Sequence, residues 1–231
     1  MDFNNFLEIY NEKAFIESST YSLYTKRPDI LRVQVKKWKE KGYLLELKKG
    51  LYIFSQKYQR KSVSKLFIAN YLVYPSYISL EYALGFYDII SERVSTVTSI
   101  TTKKTNRFKN NISLFTYNSV KNSLFFGYEM KIIDNEKIFI AKPEKALLDY
   151  IYLSKDKLKT DRKGTDINDN FKFFKSLRLQ NISDISISAL RLYQKFYSNR
   201  IKILVNHLIE YIEIYRKSFK TVEMQKIEKP K

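Results

Sequence analysis

The residues whose types and spacing suggest chemistry lie between positions 26 and 49. Lys26, Arg27, Arg32, Lys36 and Lys37 supply cations, and Val33 stands among them. At the helical spacing, Leu31, Val35 and Trp38 share one buried face. Val33, Lys36 and Lys37 then fall on the opposite face, with Arg32 on its flank. Such a face suits duplex DNA: lysines reach phosphates, and arginine can pair bidentately with guanine O6 and N7. Val33 would meet a thymine methyl, unless the helix is rotated by a residue and turns it inward. Lys48 and Lys49 stand at the tip of an expected hairpin, where they would touch phosphates. Tyr21, Tyr24, Lys26 and Arg27 would add backbone contacts. The competing interpretation is a solvated lysine face with no partner.

Other chemistry has little to work with. The single histidine, His207, falls in an amphipathic helix and is expected at a helix surface or interface. One histidine and no cysteine cannot build the usual zinc clusters. Five glycines leave little room for a phosphate-cradling loop. Glu144 and Asp149 share a helix but lie about 140° apart around it, so they do not form a carboxylate pair. Six aromatics, Tyr82, Phe86, Tyr87, Phe125, Phe126 and Tyr128, would either stack RNA bases or pack in a core. The expectation is a protein that is not an enzyme and holds no cofactor or metal.

The elements that must position the cations read as follows. A stripe of Phe3, Phe6, Leu7, Tyr10 and Ala14 predicts a helix over 2–16, and 18–24 predicts a short second one. Asp29 is the expected N-cap of the third helix, and Gly42 its C-terminal stop. Two apolar runs around Lys48-Lys49-Gly50 predict a hairpin. Three helices and a hairpin make a winged helix-turn-helix, whose third helix enters the major groove. A helix-hairpin unit used for protein contact is the other interpretation.

The rest of the chain bounds this unit. Its formal charge of +18 favours a polyanionic partner, and residues 25–61 carry 12 basic and 3 acidic side chains, half of that excess. No basic leader and no long apolar run are visible, so the expectation is a cytoplasmic protein with no membrane association. A polar connector covers 56–64. Helices are expected at 65–74, at 80–86 with Ser79 as cap, and from Pro143 through Leu153. Strands are expected at 94–102 and 112–117, with a hairpin of 129–133 and 137–141 around Asp134-Asn135-Glu136. Residues 155–170 read as a long mobile loop, 185–196 and 200–215 as amphipathic helices, and 218–231 as a disordered tail. The fold class is α+β: a winged helix-turn-helix over 1–56, a mixed α/β domain with a helical C-terminal part over 62–217, and a flexible tail.

Several segments together resemble the AbiEi-type antitoxins and transcriptional regulators of type IV toxin–antitoxin and abortive-infection operons. They are 44–52 (LLELKKGLY), 77–87 (YISLEYALGFY), 94–102 (VSTVTSITT), 125–128 (FFGY) and 140–149 (IAKPEKALLD), in that order. The resemblance spans roughly residues 3 to 153. It implies a winged domain that binds inverted repeats of double-stranded DNA upstream of its own operon and represses it, with two protomers on the operator. It also implies a C-terminal region that counters a nucleotidyltransferase toxin without a stable complex. The family's DNA contacts land on the third helix and the hairpin tip, at Arg32, Val33, Lys36, Lys37, Lys48 and Lys49, beside the added backbone contacts of Lys26 and Arg27. The alternative is an interaction module that binds the toxin or its RNA target directly, without operator-specific DNA binding.

Overall fold

The computed structural model describes residues 1–154 and 167–227, with side chains in the second stretch described from 168 to 218. It is a mixed α+β protein with a long C-terminal helix. Of the expected loop over 155–170, residues 155–166 lie outside the described residues, as do the last residues of the tail, 228–231.

Helix α1 covers Phe3–Tyr10, with the Asp2 side chain accepting from the Asn5 amide at 2.8 Å. It stops well short of residue 16, because Ile16–Glu17 instead forms strand β1, which pairs with β3 (Leu51–Phe54). Ser18–Leu23 is a 3-10 turn, where a short helix is expected. Helix α2 runs Pro28–Glu40. Asp29 is not its N-cap: Pro28 occupies the first helical turn, so the cap position falls on Arg27, which makes no side-chain cap bond. At the other end Gly42 adopts φ +72°. The Gly42 amide donates to the Lys39 carbonyl and the Tyr43 amide to the Trp38 carbonyl, both at 2.9 Å. This pair of bonds is a Schellman stop, which needs a residue at ease with positive φ.

Strand β2 (Leu44–Lys48) pairs with β3, with an irregularity between Glu46 and Lys48. The two faces of this hairpin serve two cores. Leu44 and Phe54 join Phe6, Tyr10, Leu31 and Trp38 in an N-terminal cluster. Leu47, Leu51 and Ile53, on the other face, belong to the large cluster of the following residues. Period-2 alternation thus makes the hairpin a wall shared by both cores.

Beyond the 56–64 connector, α3 (Lys65–Leu72) is capped by Ser64, whose hydroxyl accepts from the Phe67 amide. Asn70, buried, accepts from the Phe139 amide at 2.7 Å and donates to its carbonyl at 3.2 Å. A six-stranded sheet follows in the order β6-β7-β5-β4-β9-β8. Its strands are β4 (Ser76–Ile78), β5 (Val97–Thr101), β6 (Asn106–Lys109), β7 (Leu114–Ser119), β8 (Tyr128–Ile133) and β9 (Glu136–Ala141). Edge strand β6 has no counterpart in the sequence expectation, since Asn-Arg-Phe-Lys has one apolar residue and no readable alternation. The β8–β9 turn is Asp134-Asn135, both at positive φ, and Glu136 already pairs with Ile133.

Helix α4 (Leu80–Phe86) follows β4, and α5 (Pro143–Leu153) follows β9. The Ser79 hydroxyl does not cap α4. Thr98 takes that role, its Oγ1 accepting from the Tyr82 amide at 3.1 Å. Helix α6 (Ile167–Ser176) begins inside the stretch expected to be loop. Then come α7 (Ile187–Tyr193) and α8 (Asn199–Ile227). Helical backbone therefore continues through most of the expected disordered tail. Ile201, Leu204, Val205, Leu208 and Ile212 of α8 are buried as their spacing predicts.

Candidate nucleic-acid interface

The N-terminal core fixes which way α2 faces. Leu31, Val35 and Trp38 are buried, with the Trp38 ring 4.9 Å from Phe6 and 5.4 Å from Phe3. Burying one face of an amphipathic helix sets its rotation, so Arg32, Val33, Lys36 and Lys37 are all exposed. Val33 is 56% exposed, so the alternative in which it turns inward does not hold. Leu23, 75% exposed at the end of the 3-10 turn, is a second apolar group at the surface that the sequence pattern did not single out.

The flanking cations differ. Lys26 and Arg27 are exposed. The Arg27 guanidinium forks onto Asp29 at 3.1 and 3.3 Å, and this contact holds Arg27 above and Asp29 below their ordinary pKa values. Tyr21 is buried in the N-terminal core and out of reach of a backbone phosphate; the hydroxyl of half-buried Tyr24 accepts from Lys13. Within α2, Lys39 is drawn to Glu46 of β2 at 2.7 Å.

The hairpin tip departs from expectation. Lys49 is exposed, but Lys48 is half-buried and its ammonium donates to the Leu72 carbonyl at 2.6 Å. The irregularity between Glu46 and Lys48 turns that side chain toward the end of α3. Lys48 therefore ties the hairpin to the second core and does not present its charge at the tip. More contacts close the same seam. Phe15 stacks on Tyr71 at 3.8 Å, and the Asn110 side chain donates to the Leu47 carbonyl at 3.1 Å. Beyond the expected cations, Lys103, Lys104, Arg107 and Lys109 are exposed along and before edge strand β6.

Of the six aromatics expected either to stack bases or to pack, five do the second. Tyr82, Tyr87, Phe125, Phe126 and Tyr128 are packed against the large core, and Phe86 is 39% exposed. Tyr128 lies 4.6 Å from Tyr77 in a stacked pair. His207 is half-buried, with its Nδ1 3.0 Å from the Asn170 side-chain nitrogen, and burial lowers its pKa. Among the described residues no group of three His, Cys, Asp or Glu side chains is placed to hold a metal ion, and no helix is long and apolar enough to cross a membrane.

One buried cluster escaped the sequence reading. Lys145 and Asp149 of α5 are fully buried and ion-paired one helical turn apart. The Asp149 carboxylate accepts from Tyr77 at 3.0 Å and from Ser79 at 2.8 Å. The Lys145 ammonium also donates to the Tyr197 hydroxyl at 2.8 Å and lies 4.8 Å from the Phe126 ring centroid. Burial pushes the Asp149 pKa up and the Lys145 pKa down, and their pairing opposes both shifts. A Cβ on Gly127 would come within 3.0 Å of the Lys145 side chain, so glycine is what lets the chain pass there. The signal was present as Lys and Asp at i and i+4, but only the packing shows that this face points inward.

No protein-family model and no curated protein matches this chain.

Proposed function

We propose that this chain is a DNA-binding transcriptional autorepressor of a type IV toxin–antitoxin operon, and that it is not an enzyme. Residues 1–56 act as a winged helix-turn-helix whose α2 enters the major groove. Arg32 and Val33 face base edges, while Lys36, Lys37, Lys26, Arg27 and Lys49 contact phosphates. Lys48 acts through the seam and not at the DNA. Residues 62–217 form the region that counters a nucleotidyltransferase toxin, and the protein works in the cytoplasm as two protomers on an inverted-repeat operator.

The observation that carries the DNA reading is the outward face of α2, where three cations flank an exposed valine on a helix whose other face is locked in a core. A bare valine among cations has little stabilising role at a solvated surface, whereas a groove lined with thymine methyls would cover it. The motif order over residues 3 to 153 supports the antitoxin part.

A second reading, an interaction module for the toxin or its RNA target, is favoured by one observation: the hairpin is walled in by the second core and keeps only Lys49 at its tip. A promoter–reporter assay separates the two. With the chain's own upstream DNA driving the reporter, the wild type represses and the paired variant Lys36→Glu, Lys37→Glu does not. Equal reporter output from both, with the toxin captured by the wild type, supports the second reading.

A further inference from the structure

Away from the helix face, a recess of about 450 Å³ opens on the seam between the two cores. Its apolar lining comes from both sides: Phe54 from the N-terminal core, Val63 and Phe67 packed against the larger one, and Ala14 from the loop before β1. Its charges are lopsided. The two carboxylates in its wall are engaged within the protein, Glu12 by Arg60 at 2.6 Å and Glu136 by the Ser64 amide at 3.2 Å. Lys61 and Lys137, by contrast, are exposed at the recess and have no ion pair among the described residues. An apolar floor with unpaired cations at its rim complements a molecule that is apolar at one end and anionic at the other. The volume lies in the range of small-molecule sites, which favour seams between packed units.

We propose that this recess binds an amphipathic organic anion, with a flat apolar body between Phe54, Val63 and Phe67 and an acidic headgroup at Lys61 and Lys137. Neither the DNA-binding nor the antitoxin reading is needed for this proposal. Because the walls belong to two cores, an occupant would hold those cores in their present relation.

The test uses two fluorescent probes on the full chain at about 0.15 M salt, where long-range attraction between exposed charges is largely screened. One is 8-anilinonaphthalene-1-sulfonate, an aromatic anion, and the other is neutral N-phenyl-1-naphthylamine. The expected result is one saturable sulfonate site per chain. Ala14→Trp, which fills the recess from an exposed position, abolishes binding of both probes. Lys61→Glu with Lys137→Glu weakens the sulfonate about tenfold or more and leaves the neutral probe nearly unchanged. Unsaturable sulfonate binding, or saturable binding that a folded Ala14→Trp variant retains, overturns the proposal. If circular dichroism shows that Ala14→Trp does not fold, the charge-reversed pair decides. Equal effects on both probes, or none on either, then overturn it.

Discussion

Helices α2 and α5 both begin at a proline and both carry lysine on an amphipathic background, but they dispose of that lysine in opposite ways. In α2, Lys36 and Lys37 stand in water while the apolar face fills the N-terminal core. In α5, Lys145 lies wholly inside, paired with Asp149 and enclosed by Tyr77, Phe126 and Tyr197. A lysine in water keeps its charge at no desolvation cost and is available to a polyanion. A lysine out of water carries a desolvation cost that its partners must offset. Residue type is the same in the two helices, so the packing of the opposite face decides which role each lysine takes.

Breaking the buried pair should give the largest effect. Asp149→Ala leaves the Lys145 ammonium without its counter-charge and should cost about 3 to 5 kcal/mol in denaturant unfolding. Replacing both, Lys145→Met with Asp149→Leu, should recover most of that loss. A double variant as unstable as the single one would show that the pair itself, and not the orphaned charge, supplies the stability.

The two hairpin lysines sharpen the same contrast over one residue of sequence. Lys48→Ala removes a charged donor from the Leu72 carbonyl and should cost about 1.5 to 3 kcal/mol of stability. Lys49→Ala should leave stability within about 0.5 kcal/mol and lower the salt dependence of DNA binding by about one phosphate contact. Reversed outcomes would place Lys48, not Lys49, at the DNA.

These two lysines also mark how far the sequence could be read. The faces of α2 and α8, the stop at Gly42, and the proline start of α5 were legible, because each is decided within one or two helical turns. The α+β class followed from these helices together with the β-branched run at 94–102 and the hairpin around Asp134-Asn135-Glu136. The inward turn of Lys48, the transfer of the α4 cap from Ser79 to Thr98, and the burial of Lys145 depend on contacts 16 to 52 residues away in the chain. No local pattern carries them. Edge strand β6 was missed for the opposite reason: Asn-Arg-Phe-Lys carries no periodicity, and pairing with β7 stabilises it. Helix α6 does carry an apolar stripe through Phe171 and Phe174, which the polar run before it masked.

A smaller effect is expected at His207. Burial lowers its pKa, so folding favours the neutral ring, and the Asn170 side chain can donate to Nδ1 only while that nitrogen is unprotonated. A base whose folded pKa is depressed contributes stability that is present above the unfolded value and lost as pH falls through the folded one. Melting temperature should therefore drop as pH falls below about 6.5, the ordinary histidine value, and His207→Gln should flatten that slope.

The central claim is that the outward face of α2 reads DNA, and fluorescence anisotropy tests it most directly. The protein is titrated onto its own upstream duplex and onto a scrambled one across a salt series, beside the folded Lys36→Glu, Lys37→Glu variant. The account predicts tight binding to the natural duplex only, and its loss in the variant without loss of stability. Equal, weak binding to both duplexes that falls steeply with salt would contradict it, and would reduce the +18 charge to generic attraction.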